Sequence, residues 1–302
     1  MNGYLHHCYP DSLSEFGTPR ELPRCQGWIL ERLIPGTLNK DAMGCYPLFA
    51  CQDWSKLHLD LSEIDTGDLV SLSLVTDPFG EYDQTYLQRC FGDLVFPFKD
   101  HFVVDLGRPT SGCPSRHHRY YAQRALRKVT VETCSDGSAL LDEWARLYAT
   151  LIERHSLTGI KAFSRAAFAS QLEIPGLVAL RARSGDVTVG MHLWCVHRGV
   201  AYSHLAAFSD VGYDLMASYA LYWSAIEYFA GKVRWLDLGA GAGVNRGRFD
   251  GLSRFKRGWS TGTRPAYFCG RIFNRERYAE IVESKGILAV DHFPAYRLGE
   301  FG

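Results

Sequence analysis

Three apolar runs in close succession, Leu177–Arg183, Thr188–His197 and Val200–Phe208, constrain this chain more than any other feature. Each is rich in β-branched or aromatic residues and is closed by Gly, Pro or Asp, the pattern of strands packed into a sheet. A helical pattern follows from Asp210–Gly212 to Gly231, with Leu215, Tyr219, Tyr222, Ile226 and Phe229 inward, and then a further strand, Val233–Leu238. Ahead of the three runs, Ser138–His155 carries Leu141, Trp144, Leu147, Tyr148, Leu151 and Ile152 at three- and four-residue steps, which predicts an amphipathic helix. The first part of the chain adds strands at Leu69–Thr76, Leu94–Phe98 and Phe102–Leu106 and a strongly basic helix, Ser115–Lys128. The expected class is therefore α+β. The stretch Val131–Ser138, with Cys-Ser-Asp-Gly in its middle, is the best internal break, giving expected domains at 1–135 and 136–302. Each would be long enough to bury a core of its own.

No run in the 302 residues approaches the roughly 18 consecutive apolar residues of a membrane span. The first residues lack the basic start and apolar core of a signal peptide, so the expected compartment is the cytoplasm. Nine cysteines without a CxxC pair fit neither a disulfide framework nor a zinc site, and no metal is expected. His117 and His118 are expected on the surface or in a loop. The charges sum to zero, 33 against 33, but unevenly. Residues 1–100 hold 7 basic and 15 acidic side chains, so the other 202 hold 26 and 18. Residues 244–278 concentrate nine Arg/Lys against two acids. This polarity excludes a chain coated in nucleic acid and leaves room for one anionic ligand held locally.

Two local spellings suggest other chemistry and fail on context. Arg234–Gly243 (RWLDLGAGAG) reads like a methyltransferase glycine motif, yet only 59 residues follow, with no second strand and acidic residue at the spacing a doubly wound fold needs. Gly258-Trp-Ser-Thr-Gly262 fits GxSxG, but Ser260 has no apolar strand before it, and adjacent Asp291 and His292 diverge in any regular conformation.

The order helix, helix, strand, strand, strand, helix, strand in the second half resembles a GNAT acyltransferase domain. Gly251-Leu-Ser-Arg-Phe-Lys256-Arg-Gly-Trp, followed by Pro265-Ala-Tyr-Phe-Cys-Gly270, resembles the ending of its Fem-like branch. In the first half, Asp77-Pro78 after a strand and the Arg-rich helix Ser115–Lys128 resemble that family's first GNAT-like domain. The similarity covers about residues 60–275. It implies two tandem GNAT-like domains, mixed sheets flanked by helices, and transfer of an aminoacyl or acyl group from an activated donor onto an amine of a small molecule or peptide. The family's donor is aminoacyl-tRNA, whose 3′ end is the implied partner; acyl-CoA is the alternative donor, and a non-catalytic module binding an anion through the basic region is the alternative role. The coiled-coil arm of some Fem proteins is absent. So is the Q/RxxGxG/A loop that holds the CoA pyrophosphate, its place taken by Ser209-Asp-Val-Gly-Tyr-Asp214, whose carboxylates disfavour phosphate.

Carried over residue by residue, the resemblance makes Lys256 the group that stabilises the growing oxyanion, with Phe255 packed beside it. One such donor contributes about 3 kcal/mol in the transition state. Asp77 would accept or orient the amine's proton, and is equally readable as an Asp capping a turn before Pro78. Arg246, Arg248, Arg254 and Arg257 would hold donor phosphates, since forked guanidiniums suit them. His204, Tyr213, Tyr219 and Trp223 are the expected acceptor side, with Tyr202 near them. His204 is equally readable as a hydrogen-bonded core histidine, and Lys256 as a surface lysine on a basic strand.

Overall fold

The computed structural model describes residues 1–64, 69–107, 113–134, 137–242, 250–287 and 291–300. The strands are β1 (Thr18–Leu22), β2 (Gly27–Leu33), β3 (Lys40–Gly44), β4 (Leu69–Val75), β5 (Leu94–Asp105), β6 (Thr130–Cys134), β7 (Leu177–Ser184), β8 (Val187–His197), β9 (Val200–Phe208), β10 (Trp235–Asp237) and β11 (Gly262–Ile272). The helices are α1 (Cys8–Asp11), α2 (Leu57–Ile64), α3 (Gln84–Cys90), α4 (Arg116–Ala125), α5 (Leu141–His155), α6 (Arg165–Leu172), α7 (Asp210–Asp214), α8 (Ala217–Phe229), α9 (Gly251–Arg257) and α10 (Arg275–Ser284). Two compact units arise from interleaved segments: Met1–His6, Lys99–Leu157 and Ala162–Pro265 form the first, and His7–Phe98, Thr158–Lys161 and Ala266–Gly302 the second. None of the helices is long and apolar enough to cross a membrane among the described residues.

In the first unit the strands lie in the order β5, β10, β9, β8, β7, β6, antiparallel except for the parallel pair β10–β9. Residues 189–195 of β8 are buried without a break. A strand buried on both faces cannot alternate apolar with polar residues, which is why its sequence reads as a near-continuous apolar run. Helix α8, with α4 behind it, packs on β7 and β8, and α5 packs on β8 and β9. Trp194, Phe229, Trp259 and Leu236 belong to the core under α8. The second unit orders its strands β1, β2, β3, β4, β11, with β3–β4 parallel and the other neighbours antiparallel. Its core is built from Ile29, Phe49, Trp54, Leu61, Leu72 and Leu87. Arg297 closes this unit from the C-terminal side: its guanidinium donates to both oxygens of the buried Asp41 at 2.7 Å and to the Leu33 carbonyl at 2.8 Å.

Three local readings of the sequence need correction. The two expected strands around Lys99-Asp100-His101 are one, β5, because a charged triplet can remain extended when its side chains find polar partners. The helix expected from 210 to 231 is broken at Met216, which adopts a left-handed φ of 59° and separates α7 from α8. The basic segment around Lys256 is a helix, not a strand. Asp250 caps it by accepting from the Ser253 amide at 2.7 Å, and Arg254, Lys256 and Arg257 occupy its last turn, where cations suit the helix dipole.

Candidate functional site

Strand β10 pairs with β9 over only three residues, Trp235–Asp237 against Val200–Tyr202, while β9 runs on to Phe208. Past Asp237 the chain turns through a glycine-rich segment instead of continuing the ladder. Gly239 has a φ of +73°, and a Cβ there would lie 3.1 Å from the Lys256 ammonium. A Cβ on Gly241 would meet the Ser253 hydroxyl at 2.1 Å and Asp250 at 2.7 Å. These two glycines let the turn lie directly against the first residues of α9 and receive the lysine.

Lys256 is only 8 % exposed. Its Nζ donates to the Ala240 carbonyl at 2.7 Å, and the Lys99 ammonium donates to the next carbonyl, that of Gly241, at 3.3 Å. Burial lowers the pKa of Lys256 to about 8; Asp237 pulls it back upward, and Lys99 adds a further lowering. Asp237, 2 % exposed, accepts from His101 Nδ1 at 2.8 Å and from the Gly239 amide at 2.7 Å, so its charge is already divided among several donors. An ammonium carries three donors, and among the described residues Ala240 takes one. The lysine is thus a partly compensated cation in a low-dielectric setting, able to give two hydrogen bonds to a ligand.

A second polar group sits within its field. His192, fully buried on β8, is hydrogen bonded through Nε2 to Ser203 Oγ at 2.8 Å. Its Nδ1 has no partner among the described residues. Burial and then the Lys256 charge lower its pKa to about 3, so the ring is neutral at physiological pH. Tyr222 lies against this ring in a tilted arrangement, 4.8 Å between centroids; burial raises its pKa to about 12 against the opposing hydrogen bond to Ser203. Phe255 presents its ring to Tyr219 and Tyr222, each at 5.0 Å, and to His118 at 5.6 Å.

Residues 115–257 match the acetyltransferase (GNAT) domain, a span that opens at the cap of α4 and closes at the last residue of α9. This segment is therefore similar to a GNAT-type acyltransferase domain. Similarity of fold extends along the whole chain. FemX superposes with a TM-score of 0.67 at 14 % identity, covering 91 % of this chain and 93 % of that one. L-PGS from Bacillus licheniformis gives 0.62 at 14 %, covering 95 % and 98 %, and a conserved protein of unknown function from Bacteroides thetaiotaomicron gives 0.60 at 11 %, covering 90 % and 91 %. No curated protein matches the chain. The fold is accordingly one that this chain shares with FemX and L-PGS, mixed sheet flanked by helices.

Within the GNAT domain, Lys256, Phe255, Tyr219 and the exposed Arg254 fall together at α9 and α8. Arg257 is exposed and lies over the Phe102 ring at 6.0 Å. Arg246 and Arg248 lie outside the described residues. Trp223 is half-buried against the core of α8. Tyr213, on the short α7, lies under the Arg154 guanidinium at 4.1 Å. Tyr202 is buried and stacked on His197 at 4.5 Å. His204 has the geometry of a core residue: Tyr4 Oη lies 3.0 Å from Nδ1, Gln171 Oε1 lies 3.2 Å from Nε2, and burial lowers its pKa to about 3. Asp77 belongs to the second unit, where its Oδ1 accepts from the Phe79 amide at 2.8 Å and its carbonyl accepts from Tyr82 Oη at 2.7 Å. That is an Asx turn over Pro78. His118, expected at the surface, is 6 % exposed, with Nε2 at 2.9 Å from the Phe255 carbonyl; its neighbour His117 points outward. Sequence reasoning overlooked His192, Ser203, Asp237 and His101. The signal was present in part, since Asp237-Leu-Gly-Ala-Gly is the segment that holds Lys256, but its spelling suggested a nucleotide site.

Proposed function

We propose that this chain transfers an aminoacyl group from aminoacyl-tRNA onto an amine, forming an amide, with Lys256 as the group that meets the developing oxyanion. The observation that supports this reading is the buried ammonium held at Ala240 with its pKa lowered to about 8, in a domain of acyltransferase type. At neutral pH it is still largely protonated. The amine nitrogen attacks the ester carbonyl carbon, the carbonyl oxygen gains negative charge against the Lys256 ammonium, and the carbon–oxygen bond to the ribose then breaks. The proton released by the amine is the one the departing ribose hydroxyl requires, so the step balances without an added reagent. Asp237 keeps the lysine charged and His101 keeps Asp237 in place; neither need touch the substrate.

The first turn of α7 favours an aminoacyl ester over acyl-CoA. Ser209 already caps it, accepting from the Gly212 amide at 3.1 Å, and Asp210 there is exposed and pairs with Arg154. A pyrophosphate arriving at this turn would meet a carboxylate and an occupied amide. Gly212 also lies against Val189, whose carbonyl would be 2.0 Å from an added Cβ, which leaves the turn no room to reopen. The deciding experiment incubates the protein and a panel of amines with purified charged tRNA or with acyl-CoA, with and without ribonuclease. Amide product from charged tRNA that disappears with ribonuclease is expected. Product from acyl-CoA that survives ribonuclease would overturn the donor assignment.

A further inference from the structure

Helix α4 turns outward a face that the chemistry above does not use. Between Gly107 and Thr130 the sequence contains no acidic residue. Arg116, Tyr120 and Arg124 recur at four-residue steps and are exposed, Tyr120 at 59 %. Arg119 is exposed beside them, and among the described residues none of Arg116, Arg119, Arg124 or Arg254 has a carboxylate partner. The rings on this face are continuous with the site. Tyr120 lies 5.2 Å from Tyr121, Tyr121 lies 5.4 Å from Tyr219, and Tyr219 lies 5.0 Å from Phe255, the residue before Lys256. His117 lies tilted against Tyr121 at 4.6 Å, and Arg254 is close enough to Tyr219 to act on its phenol.

We infer that this face of α4 binds the single-stranded end of an RNA, with bases stacked on Tyr120 and Tyr121 and phosphates on Arg116, Arg119 and Arg124. The inference rests on the reading of the donor as a charged RNA and adds the surface that leads it to Lys256. Guanidiniums without a carboxylate partner among the described residues, with the exposed Tyr120 between Arg116 and Arg124 and Tyr121 half-exposed beside it, combine the two elements single-stranded nucleic acids need: positive charge along the backbone and flat surfaces for bases. A duplex has no free base faces to offer such rings. An anionic membrane could engage the charges and the exposed Tyr120, but would not use the rings that lead inward through Tyr121 and Tyr219 to Phe255.

The test measures binding apart from chemistry. A fluorescent twelve-nucleotide single-stranded RNA without an acyl group is titrated with the protein at low and moderate salt, beside a duplex of equal length and vesicles of phosphatidylglycerol and phosphatidylcholine. Preference for the single strand is expected. Tyr120→Ala should weaken it about tenfold, in the range of one lost stacking contact. Arg116→Gln with Arg124→Gln should reduce the slope of log affinity against log salt by about 1.4, from two lost phosphate contacts at roughly 0.7 each. Lys256→Met should bind the RNA as the parent does, and in transfer from charged tRNA the α4 variants should raise KM and leave kcat unchanged. All these positions are exposed except Lys256, and matched thermal unfolding confirms that each variant is folded. If the parent binds RNA and the α4 variants bind it equally well, the surface is wrong while the donor reading stands. If no RNA binds and acyl-CoA supports transfer, the donor reading fails and takes the inference with it. Preference for vesicles or duplex over the single strand would also overturn it.

Discussion

Arg297 and Lys256 are both buried cations, and they are held in opposite ways. Arg297 in the second unit faces Asp41 through two bonds of 2.7 Å; burial pulls its pKa down, but the hydrogen bonds and charge of that carboxylate more than reverse it, and the net shift is upward. Lys256 in the first unit has a backbone carbonyl and a carboxylate already shared with His101 and Gly239, and its net shift is downward, to about 8. Both are less than a tenth exposed. Burial therefore does not mark a site by itself. What separates the two is how far the surroundings compensate the charge: a saturated cation is a structural clamp, and an undersupplied one is poised to interact with negative charge that appears elsewhere.

The contrast predicts opposite responses to substitution. Arg297→Met should be the most damaging change to the fold, destabilising it by about 3–5 kcal/mol because the buried Asp41 loses its two-bond partner and keeps only Arg32, at 3.5 Å; urea unfolding would measure this, and the molecules that remain folded should transfer at near the parental rate. Lys256→Met should lower the transfer rate a hundredfold or more, about 3 kcal/mol, while its unfolding midpoint stays at or above the parent's. A catalytic loss for Arg297→Met, or a folding loss for Lys256→Met, would dissolve the distinction.

A pair of buried histidines sharpens it at smaller amplitude. His204 has both ring nitrogens engaged, by Tyr4 and Gln171, whereas His192, under the influence of the Lys256 charge, has no partner for Nδ1 among the described residues. His204→Leu should cost about 1–3 kcal/mol of stability by stranding buried polar groups, with kcat unchanged. His192→Phe should cost less stability and alter kcat or its pH dependence. Equal effects of the two on rate would remove His192 from the site.

The pH dependence follows from the sign of the lysine's shift. The charged form of Lys256 is lost as pH rises through about 8, so transfer should decline above that value. Asp237→Asn removes the carboxylate that supports the charge, and the declining limb should move to lower pH. Stability has the opposite slope. Between about 8 and 10.5 the unfolded chain holds a proton on this lysine that the native chain has released, so native stability should rise with pH over that window, relative to Lys256→Met. A limb that stays in place in Asp237→Asn would show that another group titrates.

Much of the first unit was legible in the residues. The run from Leu177 to Phe208 forms three successive strands as its apolar density requires, and Ser138–His155 is the helix its stripe predicts. The strands β1–β3 were harder to see, because Arg32 and Asp41 interrupt their pattern and are buried only by meeting Arg297 and Glu300 from the far end of the chain. The same limit applies to the site. Phe255 and Lys256 carried a recognisable signature, but His192, Ser203, Asp237 and His101 are ordinary letters scattered over more than a hundred residues.

The sequence by itself determined the alternation of strands and helices, the uneven distribution of charge and the presence of a lysine at the end of a GNAT-type segment, because periodicity, composition and local spelling act over a few residues. Only the tertiary structure decided that this lysine is buried, that the glycine turn after Asp237 is its cradle, and that of the two buried histidines it is His192 whose ring feels the Lys256 charge. Burial and compensation depend on what residues far apart in the chain bring to one point, and no local pattern encodes that sum.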